Sequence, residues 1–161
     1  MNKEFLKKTV EEADRGVKLG DGGPFGALVA DEKGDIISLV HNEVYKNNDP
    51  TAHAEVMAIR RACEKLGIKH TLEGCCLYTS CHPCPMCLSA TVWAQIDKVY
   101  YAASNEDTSV HGFDDSSVYR TVKEIHQENG DFVCRGDVAG LDYLVPFRSF
   151  KELYPERFEN D

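Results

Sequence analysis

The sequence predicts an α/β protein with a three-layer α/β/α sandwich on a five-stranded mixed sheet. Two short apolar runs joined by a turn predict an antiparallel hairpin at one side of the sheet. The later strands alternate with helices, an order that favours parallel pairing. With 161 residues and 42% hydrophobic content, the chain can bury one core. We therefore expect a single domain over residues 1–161.

The first third of the chain carries a helix and the hairpin. Residues 3–19 have apolar side chains at helical spacing, and Gly20 is expected to end this helix. The runs 27–30 and 36–40 are the hairpin strands. The glycine-rich stretch 20–26 lacks the spacing of a phosphate-binding loop, so we interpret it as a turn packed near the functional site.

A second helix is expected over residues 50–66. Asp49 is suited to cap this helix with Pro50 in its first position, and Thr51 is an alternative cap. Either start leaves residues 53–55 in the first turn.

The centre of the chain continues the strand and helix alternation. Residues 74–79 read as a buried strand, and residues 96–102 read as the next one. Between them, the segment 84–95 is apolar nearly all round, which predicts a helix lying against the sheet. Beyond residue 105 the pattern predicts a helix over 116–128, a strand over 131–135 and a short helix over 147–153.

Composition excludes several classes of function. The 18 basic and 27 acidic residues give a net charge of −9, so the chain is poorly suited to neutralise a nucleic-acid backbone. No apolar run approaches the roughly 18 residues of a membrane span. Seven cysteines without a secretion signal indicate thiols and metal ligands in a reducing cytoplasm. A small neutral substrate is expected.

Three residues have the spacing of a zinc site. Cys84 and Cys87 lie three positions apart at a predicted helix start and share a face, and His53 supplies a nitrogen. Three such ligands suit a tetrahedral Zn²⁺ whose fourth position stays open to water, as in catalytic sites. His53 and Glu55 point apart on a helix, so both reach one ion only from the first turn.

Glu55 is then expected to carry protons and not to bind the metal. It would take a proton from the activated water, pass it to a ring nitrogen and protonate the departing amine. The alternative is a structural zinc site in an interaction module, closed by Cys81 or His82 as the fourth ligand. In that interpretation Glu55 has no role in the site.

Other cysteines, histidines and large apolar residues have simpler interpretations. Those expected in the core are Cys63, Cys75, Cys76, Met86, Leu88 and Trp93. The histidines expected on the surface or in loops are His41, His70, His111 and His126.

The motifs His53-Ala54-Glu55 and Pro83-Cys84-Pro85-Met86-Cys87 resemble those of the cytidine-deaminase-like superfamily. Within it, Pro24-Phe25-Gly26-Ala27 and Gly112-Phe113-Asp114-Asp115-Ser116 are similar to bacterial guanine deaminases. The resemblance runs from about residue 4 to 120 and implies zinc-dependent hydrolysis of guanine to xanthine and ammonia.

The resemblance also implies roles for substrate-binding residues. Asn42 is expected to donate to the purine, the backbone of Ala54 to contact the ring, and Phe25 to line the pocket. Asp114 is expected to accept from N1–H and the 2-amino group of guanine. From the residues alone, Asn42 reads as a turn residue and Asp114 as an Asx turn or cap before Ser116.

The same resemblance implies a homodimer that exchanges C-terminal tails, here residues 141–161. Tyr154 or Phe158 would then stack on the base, although ordinary packing is an equal interpretation of each. Guanosine or an aminotriazine such as ammeline is the alternative substrate. A tRNA adenosine deaminase is disfavoured because that activity needs a basic surface.

Overall fold

The computed structural model describes residues 1–67, 71–126, 142 and 144–155. They belong to two units, Met1–Glu124 and Ile125–Asp161, and each is described by itself. Every predicted site residue except Tyr154 lies in the first unit. The interpretation of residues 1–161 as one domain stays a prediction.

A mixed sheet forms the centre of the first unit. Its strands within the described residues are β1 (Gly26–Ala30), β2 (Ile36–His41), β3 (Cys76–Cys81) and β4 (Lys98–Ala103), in the order β2-β1-β3-β4. Strand β1 pairs antiparallel with β2 and β3, and β3 pairs parallel with β4. The predicted hairpin and the mixed character of the sheet are thus confirmed. The fifth strand, expected at 131–135, lies outside the described residues.

The helices of the first unit surround this sheet. They are α1 (Lys3–Leu19), α2 (Val44–Asn47), α3 (Ala54–Leu66), α4 (Pro85–Trp93), α5 (Asn105–Ser109) and α6 (Ser116–His126), of which α6 runs two residues into the second unit. The sequence did not indicate the short helices α2 and α5.

The alternation of side chains along the strands produces the three layers. Leu28 of β1 packs in a cluster with Phe5 of α1, whereas its neighbour Val29 packs with Ala58 of α3. Successive side chains of a strand point to opposite faces of a sheet. Helices α1 and α3 therefore cover opposite faces, which confirms the α/β/α arrangement.

Helix α1 begins and ends where the sequence predicts. The side chain of Asn2 accepts a hydrogen bond from the backbone N–H of Glu4 at 3.0 Å, which caps the first turn. Gly20 ends the helix with φ of 73°, a left-handed conformation that glycine adopts without a steric penalty.

Helix α3 begins later than predicted, at Ala54. The carboxylate of Asp49 accepts from both the backbone N–H and the hydroxyl of Thr51, at 2.8 and 2.6 Å. These bonds build a turn that competes with a helical start. His53 becomes the N-cap residue, in extended conformation with ψ of 153°, and Glu55 stays in the first turn.

Helix α4 buries only one side in the described structure. Cys87 and Thr91 are buried, but Val92 is 76% exposed and Trp93 is 88% exposed. The interpretation of Trp93 as a core residue was wrong. It rested on apolar character alone, which does not show what covers a helix face.

The second unit contains α7 (Val145–Leu153), close to the predicted span 147–153. Pro146 lies in its first turn, where the missing backbone N–H costs nothing. In the described part of the chain, the helices are too short or too polar to span a bilayer.

Candidate active site

The N-termini of α3 and α4 bring three ligand atoms together. His53 precedes α3 and Cys84 precedes α4, while Cys87 lies one turn into α4. The Nδ1 atom of His53 is 3.6 Å from the Sγ atom of each cysteine. All three ligand atoms lie within 4.8 Å of one another. The predicted convergence of these residues is confirmed.

The spacing of these atoms fits zinc. Tetrahedral Zn–N and Zn–S bonds of about 2.0 and 2.3 Å separate nitrogen from sulfur by about 3.5 Å. The two N to S distances of 3.6 Å match this value. An imidazole and two thiolates are also the donor types that zinc prefers. His53, Cys84 and Cys87 are therefore suited to hold Zn²⁺ with one position left for a further ligand.

The electrostatics of the cluster favour a thiolate. Hydrogen bonds from the Cys87 thiol and with His53 lower the pKa of the Cys84 thiol to about 4. The hydrogen bond to Cys84 in turn raises the pKa of His53, and donation to Cys84 raises the pKa of Cys87. The N-terminal end of α4 adds positive potential.

Glu55 lies beside the ligand atoms but outside the group of three. Its Oε2 atom is 3.4 Å from Sγ of Cys87, and the residue is only 6% exposed. Burial raises the pKa of the Glu55 carboxyl. A raised pKa suits a group that must both accept and donate a proton near neutral pH.

The two residues that could supply the fourth ligand of a structural zinc site, Cys81 and His82, contact other side chains. The Cys81 thiol lies 3.9 Å from the hydroxyl of Thr108, and Nδ1 of His82 lies 3.2 Å from the hydroxyl of Tyr119. Within the described ranges, the ligand cluster contains only His53, Cys84 and Cys87. This arrangement favours a catalytic site over a closed structural one.

A cavity of about 220 Å³ opens onto the cluster. Its lining comprises Phe25, His53, Glu55, Cys81, His82, Cys84, Thr108, Phe113 and Asp115. The rings of Phe25 and Phe113 meet edge to face, with centroids 5.4 Å apart. The cavity thus combines an aromatic wall with acidic groups, as a site for a flat polar ring requires.

Phe25 lines this cavity, whereas Asn42 and Ala54 are buried and are not among the residues that line it. The Oδ1 atom of Asn42 accepts from the backbone N–H groups of Gly23 and Val44, at 3.1 and 3.2 Å. These two bonds fix the side-chain amide. Among the described residues the amide nitrogen of Asn42 has no hydrogen-bond partner, so it can act as a donor.

The two neighbouring aspartates are placed differently. The Asp114 carboxylate accepts from the backbone N–H and hydroxyl of Ser116, at 2.9 and 3.1 Å, and is exposed. Asp115 lines the cavity, and burial raises the pKa of its carboxyl. In the structure Asp114 therefore acts as the turn or cap residue before Ser116, and Asp115 is the aspartate that lines the cavity.

The tail residues lie outside the first unit. Tyr154 follows α7, and its ring packs at a tilt on Phe150 with centroids 4.8 Å apart. Phe158 lies outside the described residues. The expectation that either ring stacks on the substrate stays a prediction.

Sequence reasoning missed two features of the first unit. His82 was considered only as a metal ligand, although it directly follows β3 and lines the cavity. His41 was expected on the surface or in a loop, but it ends β2 and is buried between Glu12 and Asp21, at 2.7 and 2.8 Å from their carboxylates. A histidine at the end of a strand gives no local signal of such partners.

The chain matches proteins of one family over most of its length. Residues 1–103 match the profile of the cytidine and deoxycytidylate deaminase zinc-binding region. The guanine deaminase of Bacillus subtilis (strain 168) is 46% identical over 154 residues, which cover 95% of this chain and 96% of that protein. A tRNA-specific adenosine deaminase of Aquifex aeolicus (strain VF5) is 48% identical over 104 residues, covering 64% of this chain and 67% of that protein.

A solved structure agrees with this result. The X-ray structure of guanine deaminase from Bacillus subtilis superimposes with a TM-score of 0.81 at 44% identity, covering 94% of this chain and 95% of that chain. Sequence and fold therefore agree with the zinc-type ligand set found at the two helix N-termini. The chain belongs to the family of zinc-dependent deaminases that carry the cytidine and deoxycytidylate deaminase zinc-binding region.

Proposed function

We propose that the protein hydrolyses guanine to xanthine and ammonia. The observation that carries the proposal is the three-ligand cluster with Glu55 beside it at the wall of a small cavity. The near full-length similarity to a guanine deaminase supports guanine over other amino-substituted rings.

In the reaction, water adds to C2 of guanine, the bond from C2 to the 2-amino nitrogen breaks, and ammonia leaves. Zn²⁺ bound by His53, Cys84 and Cys87 would supply an activated water at neutral pH. Glu55 accepts the proton of the attacking water and delivers it to a ring nitrogen next to C2. Glu55 then carries a second proton to the departing amine.

The dimensions of the cavity support a free base. Its volume of about 220 Å³ is below the range of about 300–1,000 Å³ that is usual for drug-sized ligands. A ribose on the base would need space beyond these walls. Guanosine is therefore a less suitable substrate than guanine.

We propose that the base lies against Phe25 and the backbone of Ala54, with Asn42 donating to it through its side-chain amide. A carboxylate in the cavity would accept from N1–H and the 2-amino group, a donor pair that adenine lacks. Asp114 and Asp115 are the two candidates for this role.

A matched pair of variants separates the two aspartates. If Asp115 reads the base, Asp115→Asn lowers kcat/KM for guanine about tenfold or more, whereas Asp114→Asn keeps an acceptor oxygen for the backbone N–H of Ser116 and changes kcat/KM little. The reverse pattern of kinetics would assign the role to Asp114 and require the loop to rearrange on binding.

A tRNA substrate is the strongest competitor, because tRNA-specific adenosine deaminases match about two thirds of the chain. The net charge of −9 opposes it, since binding to a phosphate backbone depends on Lys and Arg. Within the first unit, three of the five basic residues of α1 also form ion pairs with acidic ones, for example Lys7 with Glu11 at 3.6 Å.

We further propose a homodimer in the cytoplasm, in which the tail of residues 141–161 is exchanged between subunits. Exposed Val92 and Trp93 on α4 support the association. The unpaired cysteines Cys63, Cys75, Cys76 and Cys81 support a reducing compartment.

An ammonia-release screen over guanine, guanosine, adenine, cytosine, cytidine, ammeline and a tRNA tests the function. Zinc-loaded protein is expected to release ammonia from guanine with a kcat/KM at least tenfold above that for any other compound. A preference for ammeline or guanosine would show that this compound, and not guanine, is the substrate. Release from none of them in zinc-loaded protein would support the structural-zinc alternative.

A further inference from the structure

We propose that His82 recognises the free purine base by accepting a hydrogen bond at Nε2 from the N–H group of the imidazole ring. This inference rests on the proposed function, because guanine is the base concerned. His82 directly follows β3 and lines the same cavity as Glu55 and Cys84.

The surroundings of Tyr119 determine which nitrogen of His82 carries the proton. The Tyr119 hydroxyl lies 2.7 Å from the carbonyl oxygen of Pro83 and 3.2 Å from Nδ1 of His82. A carbonyl oxygen only accepts, so the single hydroxyl proton is donated to Pro83. The phenol oxygen then accepts from Nδ1–H of His82. In the neutral ring, Nε2 is left without a proton and acts as an acceptor.

The ring is held in place from two further sides. The backbone N–H of His82 donates to the carbonyl of Ala103 at 2.8 Å. The ring of Tyr101 packs edge to face on the imidazole, with centroids 4.9 Å apart and planes at 74°. No group in the described part of the chain forms a hydrogen bond with Nε2. A ligand in the cavity can therefore use this acceptor without displacing another bond.

The hydrogen-bond donors of guanine indicate from which of its groups His82 accepts. Guanine carries N1–H, the 2-amino group and one N–H on the imidazole ring. N1–H and the 2-amino group lie next to C2, and C2 must face Glu55. A carboxylate is suited to accept hydrogen bonds from both of these donors. Thr108 and Cys81 are engaged with each other, and the Thr108 hydroxyl donates to the backbone carbonyl of Asn105 at 3.1 Å. The imidazole N–H would otherwise lose its water partner without compensation.

This contact would select a base over a nucleoside. A nucleoside carries ribose on N9 and an unprotonated N7, so its imidazole ring offers no N–H to His82. Two acceptors would then face each other, and the desolvated pair would weaken binding. Methylation of N9 has the same chemical effect with a much smaller substituent, so 9-methylguanine is the appropriate probe.

The test compares guanine with 9-methylguanine in the wild type, His82→Phe and His82→Gln, each with its zinc content measured. His82→Phe keeps a ring but removes the acceptor. It is expected to lower kcat/KM for guanine about tenfold or more and to change that for 9-methylguanine less than threefold. His82→Gln retains a carbonyl acceptor and is expected to recover part of the preference for guanine.

Equal losses on both substrates in His82→Phe would show a structural role and overturn the inference while leaving the proposed function intact. A wild type without turnover of guanine would overturn both. If His82→Phe does not bind zinc, the variant Tyr119→Phe is used to test the proposal. It removes the hydroxyl that fixes the tautomer of His82 and leaves the imidazole itself unchanged. The preference for guanine over 9-methylguanine should then fall at least threefold, and an unchanged preference would overturn the proposal.

Discussion

His53 and Glu55 lie two positions apart in the sequence but have different roles in the site. His53, two positions earlier, offers a nitrogen to the ligand cluster, whereas the Glu55 carboxylate lies beside the cluster with Oε2 3.4 Å from Cys87 Sγ. Both side chains reach the same place because His53 ends an extended segment and Glu55 begins a helix. The carboxylate is thereby near the metal site and free to move protons.

Replacing Glu55 with glutamine tests this separation. The amide keeps the size of the side chain but cannot take up a proton, so kcat is expected to fall by about 10²–10⁴ while zinc remains bound. Metal analysis and single-turnover kinetics measure the two effects. The control is Glu64→Gln, an exposed carboxylate at the end of the same helix that pairs with Arg61 at 3.2 Å. A fully active Glu55→Gln enzyme would remove Glu55 from the chemistry.

At the scale of elements, the N-termini of α3 and α4 meet through their metal ligands. Because His53 belongs to one helix start and the two cysteines to the other, a bound ion joins the helices as well as serving chemistry. The wall of the cavity depends on the same helix starts.

Removal of zinc is expected to lower both activity and stability. Zinc at 100 times its Kd stabilises the folded state by about 2.7 kcal/mol, and each kcal/mol shifts Tm by about 2–4 °C in a chain of this size. A chelator should therefore lower Tm by about 5–10 °C in calorimetry. The variant Cys84→Ala should show no further shift with chelator. If chelation left Tm and activity of the wild type unchanged, the metal site would be refuted.

A second cluster ties α1 to the end of β2. The buried His41 lies between the carboxylates of Glu12 and Asp21, and Arg15 contacts Glu12 at 2.6 Å. His41 is followed by Asn42, so these contacts also hold the strand end that precedes Asn42. Gly16 is required here, because a Cβ atom would lie 2.6 Å from the imidazole.

This cluster predicts how stability depends on pH. Burial alone would raise the pKa of Glu12, but hydrogen bonds from Arg15 and His41 outweigh it and lower the pKa below 4.5. A carboxyl with a lowered folded pKa stabilises the protein above its unfolded value and loses that contribution as pH falls through the folded value.

Glu12→Gln should therefore be less stable than the wild type at pH 7, by about 1.5–3 kcal/mol, and the difference should shrink below about pH 4.5. Urea denaturation at several pH values measures both. Glu11→Gln, which alters an exposed residue one position away, should show little difference at any pH. A constant gap between wild type and Glu12→Gln would contradict the assigned ion pairing.

The sequence predicted the elements better than their ends and surroundings. Periodicity located α1 and the hairpin because their buried faces repeat regularly. The start of α3 was missed because the side chain of Asp49 bonds within its own turn, a local competition that periodicity does not register. The carboxylates around His41 come from α1 and the loop after it, so only tertiary structure reveals them.

At the scale of the whole molecule, the chain in isolation leaves a large apolar surface on α4. Trp93 is 88% exposed and Val92 is 76% exposed, side by side at the end of the helix that carries the cysteine ligands. Exposed aromatic residues of this size are typical of the centres of protein interfaces. A second copy of the chain is the partner that the proposed homodimer would place here.

Sedimentation equilibrium tests this association. The wild type is expected to sediment at twice the chain mass of 18.0 kDa, and Trp93→Asp to weaken association at least about 30-fold, since a central tryptophan contributes about 2 kcal/mol or more. Leu66→Asp introduces the same charge at a residue 46% exposed at the end of α3 and should leave the dimer intact. A monomeric wild type would refute the dimer. A dimer that survives Trp93→Asp would refute this interface, and loss of that dimer on truncation before residue 141 would assign association to the tail.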